Sequence, residues 1–127
     1  MNIGIIIVTH PGIGALILQT AQQIMGGTPL PVHCIEVPME SSADIIVHKK
    51  QACITQAAHY DQALILTDIY AATPHNIANH AAVNQHNVAI LSGLNVPMLL
   101  RVFNYADETE IAALYANAKQ GAMRGIC

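Results

Sequence analysis

The chain has 127 residues, of which 53% are hydrophobic and 10% are charged, so it can bury a core and is not a disordered polar segment. A formal net charge of -3 with only five Lys and Arg excludes the basic surface that a nucleic-acid backbone requires. We expect one domain over residues 1–127.

The compartment follows from the cysteines and the N-terminus. The three cysteines are odd in number and form no CxxC pair, which favours free thiols in a reducing cytoplasm. No cationic segment opens the chain, so we expect no signal peptide. The early apolar run is too short to span a bilayer, and we expect any link to a membrane to be indirect.

The first predicted strand, residues 3–8, is a continuous apolar run rich in β-branched residues, as in a strand that is buried on both faces of a parallel sheet. Thr9-His10-Pro11-Gly12 ends it. A helix follows and stops at Gly26-Gly27. Its predicted core-facing residues are Ile13, Leu16, Ile17 and Ile24.

The second predicted strand covers residues 32–37. Ser41-x-x-Asp44 resembles a capping box and predicts the start of a second helix, which ends at Tyr60-Asp61. The predicted buried face of this helix consists of Val47, Ile54 and Ala58, with Ile46, Cys53 and Ala57 beside them.

The third predicted strand, residues 63–67, is apolar and ends at Asp68. Thr73-Pro74 predicts a third helix that runs to about residue 85, because Thr is a good N-cap and Pro favours the first helical position. A fourth strand is predicted at 88–91 and a short helical piece from Asn95. A last helix follows Asp107-Glu108, and residues 122–127 are a possible short edge strand. The predicted buried residues of the last helix are Ile111, Leu114, Tyr115, Ala118 and Ala122.

Strands and helices alternate at short spacing, which predicts an α/β, doubly wound and mostly parallel sheet of order 2-1-3-4 with helices on both faces. In such a sheet, ligands bind outside the carboxyl ends of the strands where the strand order reverses, here between the first and third strands. His10 and Asp68 follow these two strands. The fold alone therefore brings them together.

This placement suggests phosphoryl chemistry on His10. A neutral imidazole is a good nucleophile near neutral pH, and Asp68 could accept the other ring N–H and so fix the tautomer. Two helix starts, after Pro11 and at Thr73, should offer N–H groups to a phosphate. Thr73, with Thr9 and Ala72 as flanking candidates, would hold the phosphoryl oxygens. Neither a metal nor an organic cofactor is needed if the donor is already phosphorylated.

Each of these residues also has an ordinary structural interpretation. His10 could be a loop residue, Asp68 a turn cap and Thr73 a simple helix start. Their joint placement at one predicted crevice favours the chemical interpretation. No Walker loop is present, and the dinucleotide motif lacks its third glycine, so a nucleotide is not indicated. The remaining histidines form no H-x-x-x-H pair, and no metal site is expected.

Three segments of the chain resemble the enzyme IIA domain of the mannose-type bacterial phosphotransferase system. They are IGIIIVTH at 3–10, LTDIYAATPHN at 66–76 and SGLNVPML at 92–99. The resemblance implies a flavodoxin-like sheet, His10 as the phosphorylated histidine, Asp68 as its partner and Thr73 as the phosphate-binding residue. It implies phospho-HPr as donor, a IIB component as acceptor, membrane IIC and IID components beyond it, and a homodimer whose C-terminal strand is exchanged.

Two positions depart from the family's pattern: Pro11 and Ala71 stand where the family often has glycine. Three functions stay open from the sequence. The first is a phosphocarrier that serves sugar transport. The second is a regulatory protein whose phosphorylation state controls binding to another protein, and the third is a flavin- or nucleotide-binding protein on the same sheet. The absence of a Ser/Thr/Gly-rich loop after the first strand counts against the third.

Overall fold

A computed structural model describes residues 2–127 and contains a four-stranded parallel sheet of order β2-β1-β3-β4 with five helices. The predicted order and direction of the strands are confirmed. In chain order the elements are β1 (Ile3–Thr9), α1 (Ile13–Met25), β2 (Val32–Glu36), α2 (Ala43–Ala58), β3 (Gln62–Thr67), α3 (Thr73–Ala82), β4 (Val88–Leu91), α4 (Val96–Asn104) and α5 (Ile111–Arg124).

The two central strands, β1 and β3, are buried along their whole length, as their apolar composition predicts. Successive side chains point to opposite faces, so the sheet divides the core in two. Ile5 and Leu64 belong to the core on the side of α1, α4 and α5, whereas Ile6 and Ile65 belong to the core on the side of α2 and α3. Helices therefore cover both faces. Each such buried Ile or Leu contributes about 1.5–3 kcal/mol through the apolar surface it removes from water.

The predicted buried face of α1 is largely wrong. Leu16 and Ile24 are 64% and 60% exposed, and the fully buried residues are the small ones, Gly14 and Ala21. A Cβ at Gly14 would lie 2.7 Å from Ile7 Cγ2, so the helix approaches β1 too closely for a larger side chain. The spacing of the large apolar residues predicted a different face, because the hydrophobic pattern carries no information about how closely the helix approaches the sheet.

The start and the buried face of α2 also differ from the prediction. Ser42, and not Ser41, is the N-cap, and its hydroxyl accepts a hydrogen bond from the Ile45 N–H. Cys53 and Ala57 are buried as expected, whereas Val47, Ile54 and Ala58 are exposed. As in α1, small residues contact the sheet.

Among the last three helices, the bounds of α3 differ from the prediction, whereas the predicted start of α4 and the predicted buried residues of α5 are confirmed. Ala72 is the N-cap of α3, so Thr73 is the first helical residue, and the helix ends at Ala82. Asn95 caps α4 through a hydrogen bond from the Met98 N–H. The predicted buried residues of α5 do face the core.

The predicted C-terminal edge strand is wrong, because residues 122–124 continue α5 and the sheet of residues 2–127 has no fifth strand. Gly121 lets α5 lie close to α4, where a Cβ would meet Arg101 Cβ at 2.5 Å. This packing keeps the segment helical. Residues 2–127 therefore contain no C-terminal strand that two subunits could exchange.

Candidate functional site

The site lies where β1 and β3 end side by side. His10 follows β1 and Asp68 follows β3, and the parallel pairing of the two strands brings residues 58 positions apart into contact. His10 Nδ1 lies 2.7 Å from Asp68 Oδ2, and the same oxygen accepts the backbone N–H of His10 at 3.0 Å. The Asp68 side chain is only 5% exposed, whereas that of His10 is 21% exposed. The imidazole is therefore held by a buried carboxylate on one side and is accessible to solvent on another.

The ionisation of Asp68 fixes the His10 tautomer. Burial by itself raises the pKa of Asp68, but hydrogen bonds from the His10 backbone and side chain, the His10 charge and the Asp68 N–H together lower that pKa below its ordinary value of 3.8. A carboxylate can only accept hydrogen bonds, so Nδ1 of His10 carries the proton. In the neutral ring, Nε2 then holds a free lone pair.

The loop that carries His10 is a tight turn from His10 to Ile13. The Ile13 N–H donates to the His10 carbonyl at 3.4 Å, and Gly12 has φ 81 and ψ -24. These are the angles of the third residue in a type II turn, a position that favours glycine. The position before it favours proline. Pro11 therefore suits this turn.

The N–H groups of this turn are already used inside the protein. Gly12 donates to Glu36 Oε2 at 3.0 Å, and Gly14 donates to Thr9 Oγ1 at 2.9 Å. Thr9 is fully buried, and its hydroxyl donates to the His10 carbonyl at 2.8 Å. Thr9 thus supports the turn instead of facing a phosphate, which corrects its expected role. The start of α1 likewise differs from the open donor site expected there.

The start of α3 is more open. The Ala72 N–H donates to the Ile69 carbonyl at 3.3 Å, so this candidate has no free donor. Thr73 is exposed, and within residues 2–127 neither its hydroxyl nor its N–H makes a hydrogen bond. The N–H of His75 is also unpaired in that range. Of the expected phosphate contacts, Thr73 alone keeps both donors available.

Two residues near the site were not identified from the sequence. Glu36 is the last residue of β2, and the carboxyl ends of parallel strands lie at the same edge of the sheet. Its position in the sequence could therefore have indicated that it lies near the site. His75 lies in the first turn of α3, with Nδ1 at 2.9 Å from Thr67 Oγ1 and its ring 5.0 Å from that of Tyr70. In the sequence, the neighbouring Pro74 indicated only where the helix starts, and not that His75 lies near the site.

The His10 side chain is partly exposed to solvent. A cavity of about 620 Å³ lies beside β4 and is lined in part by Tyr70 and His75, but His10 does not line it. Within residues 2–127, no three His, Cys, Asp or Glu side chains are grouped so that they could hold a metal ion. No helix in the same range is long and apolar enough to cross a membrane.

Comparisons with known proteins agree on one family. The profile of the EIIA-man family, described as PTS system fructose IIA component, matches residues 4–119. The PTS system mannose-specific EIIAB component of Escherichia coli strain K12 is 26% identical over 108 residues, which are 85% of this chain and 33% of that protein. The chain therefore spans about a third of the length of the curated relatives it matches.

Solved structures show the same fold. Phosphotransferase system component EIIA from Streptococcus agalactiae is 25% identical with a TM-score of 0.86, over 98% of this chain and 95% of that one. The mannose/sorbose specific IIA subunit from Enterococcus faecalis has a TM-score of 0.86 at 20% identity, over 100% of this chain and 94% of that one.

Proposed function

The chain belongs to the EIIA-man family, and on that premise we propose that it is a phosphocarrier of the phosphoenolpyruvate-dependent phosphotransferase system. His10 accepts a phosphoryl group from phospho-HPr and passes it to a histidine of a IIB component. The observation that carries the proposal is the pair formed by the accessible imidazole of His10 and the buried carboxylate of Asp68.

The pair supports a simple transfer step. The Nε2 lone pair of His10 attacks the phosphorus of the donor's phosphohistidine, a new P–N bond forms, and the donor's P–N bond breaks with its electron pair returning to the donor ring. The proton on Nδ1 stays in the hydrogen bond to Asp68, whose negative charge stabilises the positive charge that develops on the ring. We therefore assign Nε2 as the phosphorylated nitrogen.

The phosphoryl oxygens are held from the start of α3. The Thr73 hydroxyl and the N–H groups of Thr73 and His75 are donors at a helix N-terminus, where the helix dipole favours negative charge. At the start of α1, the N–H groups of Gly12, Ile13 and Gly14 are already used inside the protein and contribute none.

Exposed apolar side chains around the strand ends support a protein partner over a small molecule. They follow three neighbouring strands, which places them at the same edge of the sheet as His10. A cluster of exposed apolar groups is typical of a protein contact surface. These residues are Ile13 after β1, Met39 after β2, and Ile69 and Tyr70 after β3.

The test is phosphorylation by enzyme I, HPr and labelled phosphoenolpyruvate. Wild-type protein takes up an acid-labile, base-stable label, and His10→Ala takes up none. His48→Ala is the matched control, because His48 is an exposed histidine on α2. An equal labelling rate for His10→Ala would overturn the proposal.

The acceptor is tested by adding a IIB protein to the labelled protein. Transfer of the label to IIB supports the carrier function. Label that no IIB accepts, together with phosphorylation-dependent binding of another protein, would instead support a regulatory role. We also propose a cytoplasmic homodimer, for which light scattering should give twice the chain mass of 13.6 kDa.

A further inference from the structure

Glu36 lies beside the turn that carries His10, on the side opposite to Asp68. β2 and β3 flank β1, and Glu36 is in register with Thr9. The Val37 N–H donates to the Thr9 carbonyl at 2.9 Å, so the end of β2 stays attached to the end of β1. The position of the Glu36 carboxylate is thereby fixed relative to the site.

The Glu36 carboxylate holds the turn through Gly12. Oε2 accepts the Gly12 N–H at 3.0 Å in a partly buried position. Gly12 is the turn residue with φ 81, a conformation that side-chain-bearing residues rarely adopt. Asp68 accepts the N–H of His10 at the start of the same turn. Two carboxylates from the strands on either side therefore hold the turn, one at its first residue and one at its third.

All backbone donors of this loop are accounted for. His10 donates to Asp68, Gly12 to Glu36, Ile13 to the His10 carbonyl and Gly14 to Thr9, while Pro11 has no N–H. The N–H groups from His10 to Gly14 are therefore unavailable to a phosphoryl group on His10, whereas those of Thr73 and His75 at the start of α3 are unpaired within residues 2–127. Without Glu36, the Gly12 N–H would be freed and the turn would lose one of its two contacts with a carboxylate.

We propose that Glu36 is a positioning residue for His10, which holds the imidazole in line with the donors of α3 by fixing the His10–Ile13 turn through Gly12. The inference rests on the proposed phosphocarrier function. In this inference Glu36 acts on the reaction only through its contact with the Gly12 N–H. Its loss should therefore lower kcat for phosphorylation of His10 and leave the KM for phospho-HPr unchanged.

The test compares Glu36→Ala with Glu36→Gln. The alanine variant lacks the acceptor, and we expect kcat to fall about 10-fold, the effect of losing one hydrogen bond to a charged group. The glutamine variant keeps an acceptor oxygen for the Gly12 N–H and should stay within about threefold of the wild type. Glu40→Ala, which removes an exposed carboxylate in the following loop, is the matched control and should leave kcat unchanged.

Amide hydrogen exchange at Gly12 tests the same contact without reference to activity. We expect a protected Gly12 amide in the wild type and in Glu36→Gln, and an unprotected one in Glu36→Ala. Wild-type kcat in Glu36→Ala, or an equal loss of kcat in both variants, would overturn the inference.

Hydrogen exchange also keeps the two proposals separate. If Glu36→Ala does not fold, fast exchange of the Gly12 amide in the wild type would still overturn the inference. If the wild type takes up no label, the proposed function fails, whereas protection of Gly12 still reports on the turn.

Discussion

Asp68 accepts two hydrogen bonds from His10 on a single oxygen, one from the backbone N–H at 3.0 Å and one from ring Nδ1 at 2.7 Å. Its other oxygen accepts the N–H of Ile69 at 3.0 Å. Both oxygens of the carboxylate are therefore engaged, and its position fixes the backbone and the ring of His10 together. The ring cannot rotate about χ1 without breaking the contact that defines its tautomer.

Asp68→Asn should slow phosphorylation of His10. The amide of asparagine can donate to Nδ1 and so favour the tautomer in which Nε2 carries the proton, and its neutral group no longer stabilises a positive ring. We expect kcat to fall about 100-fold or more, measured by rapid-quench labelling from phospho-HPr. Asp107→Asn, at an exposed position, is the control. A kcat equal to that of the wild type would contradict the assigned role of Asp68.

The stabilisation that Asp68 gives to the folded protein should be lost in acid. Its pKa in the folded protein is below the ordinary value of 3.8, so the folded state holds fewer protons than the unfolded state around that pH. The stabilisation is complete above about pH 5 and is lost as the pH falls through the lowered pKa. Urea unfolding of the wild type and Asp68→Asn across this range tests it. The difference in unfolding free energy between them should shrink on acidification, and a constant difference would refute the linkage.

Ala71→Gly should stabilise the protein. Ala71 has φ 65, a left-handed conformation that costs a residue with a Cβ about 1–2 kcal/mol. Glycine adopts it without this cost but has more freedom in the unfolded chain, so we expect a net gain of about 1 kcal/mol or less in urea unfolding. Asn84→Gly is the matched control: Asn84 has φ 60, and asparagine tolerates this region, so its gain should be smaller. Equal effects at the two positions would argue against strain at Ala71.

We expect the Thr73 hydroxyl to speed the phosphorylation of His10 by donating a hydrogen bond to the phosphoryl group. Thr73→Ala removes this donor at the start of α3 and should lower kcat for phosphorylation of His10 by about 10- to 100-fold. Thr73→Ser keeps the hydroxyl and should stay close to the wild type. Melting temperatures of both variants separate this effect from helix stability. Equal kcat values for the two variants would remove the hydroxyl from the phosphate site.

Gly14→Ala should destabilise the protein although alanine is the better helix former. The added Cβ would lie 2.7 Å from Ile7 Cγ2 and 3.0 Å from Thr9 Oγ1, so α1 would have to move away from β1. Overpacking of this kind costs about 1–3 kcal/mol in unfolding free energy. Gln19→Ala, at an exposed position of the same helix, should have no such cost. A Gly14→Ala protein as stable as the wild type would contradict the close approach.

Sequence reasoning identified the central features of the fold and of the site. The apolar runs of β1 and β3 are long enough to indicate burial on both faces, and their alternation with helices predicts a parallel sheet of order 2-1-3-4. From that order alone, His10 and Asp68 were expected at one edge, and they are in contact. Asn95-Val96-Pro97 likewise marked the start of α4, because capping is a local interaction.

The faces of α1 and α2 could not be found in the same way. Large apolar residues usually indicate the core, but here Leu16 and Val47 are exposed, while Gly14 and Ala21 are buried. The distance between a helix and a sheet depends on which small residues contact the sheet. A pattern of hydrophobicity along one helix does not contain that distance.

The sequence by itself thus determined the strands, their order and the meeting of His10 with Asp68, since strand burial and parallel topology follow from local composition and the spacing of elements. Only the tertiary structure decided which donors stay free around His10. The Glu36 carboxylate and the Thr9 hydroxyl occupy the Gly12 and Gly14 N–H groups at the start of α1, whereas the N–H groups of Thr73 and His75 at the start of α3 stay unpaired within residues 2–127. The reason is that a hydrogen bond forms between groups that are near in space, and the proximity of β2, β1 and α1 exists only after the chain has folded.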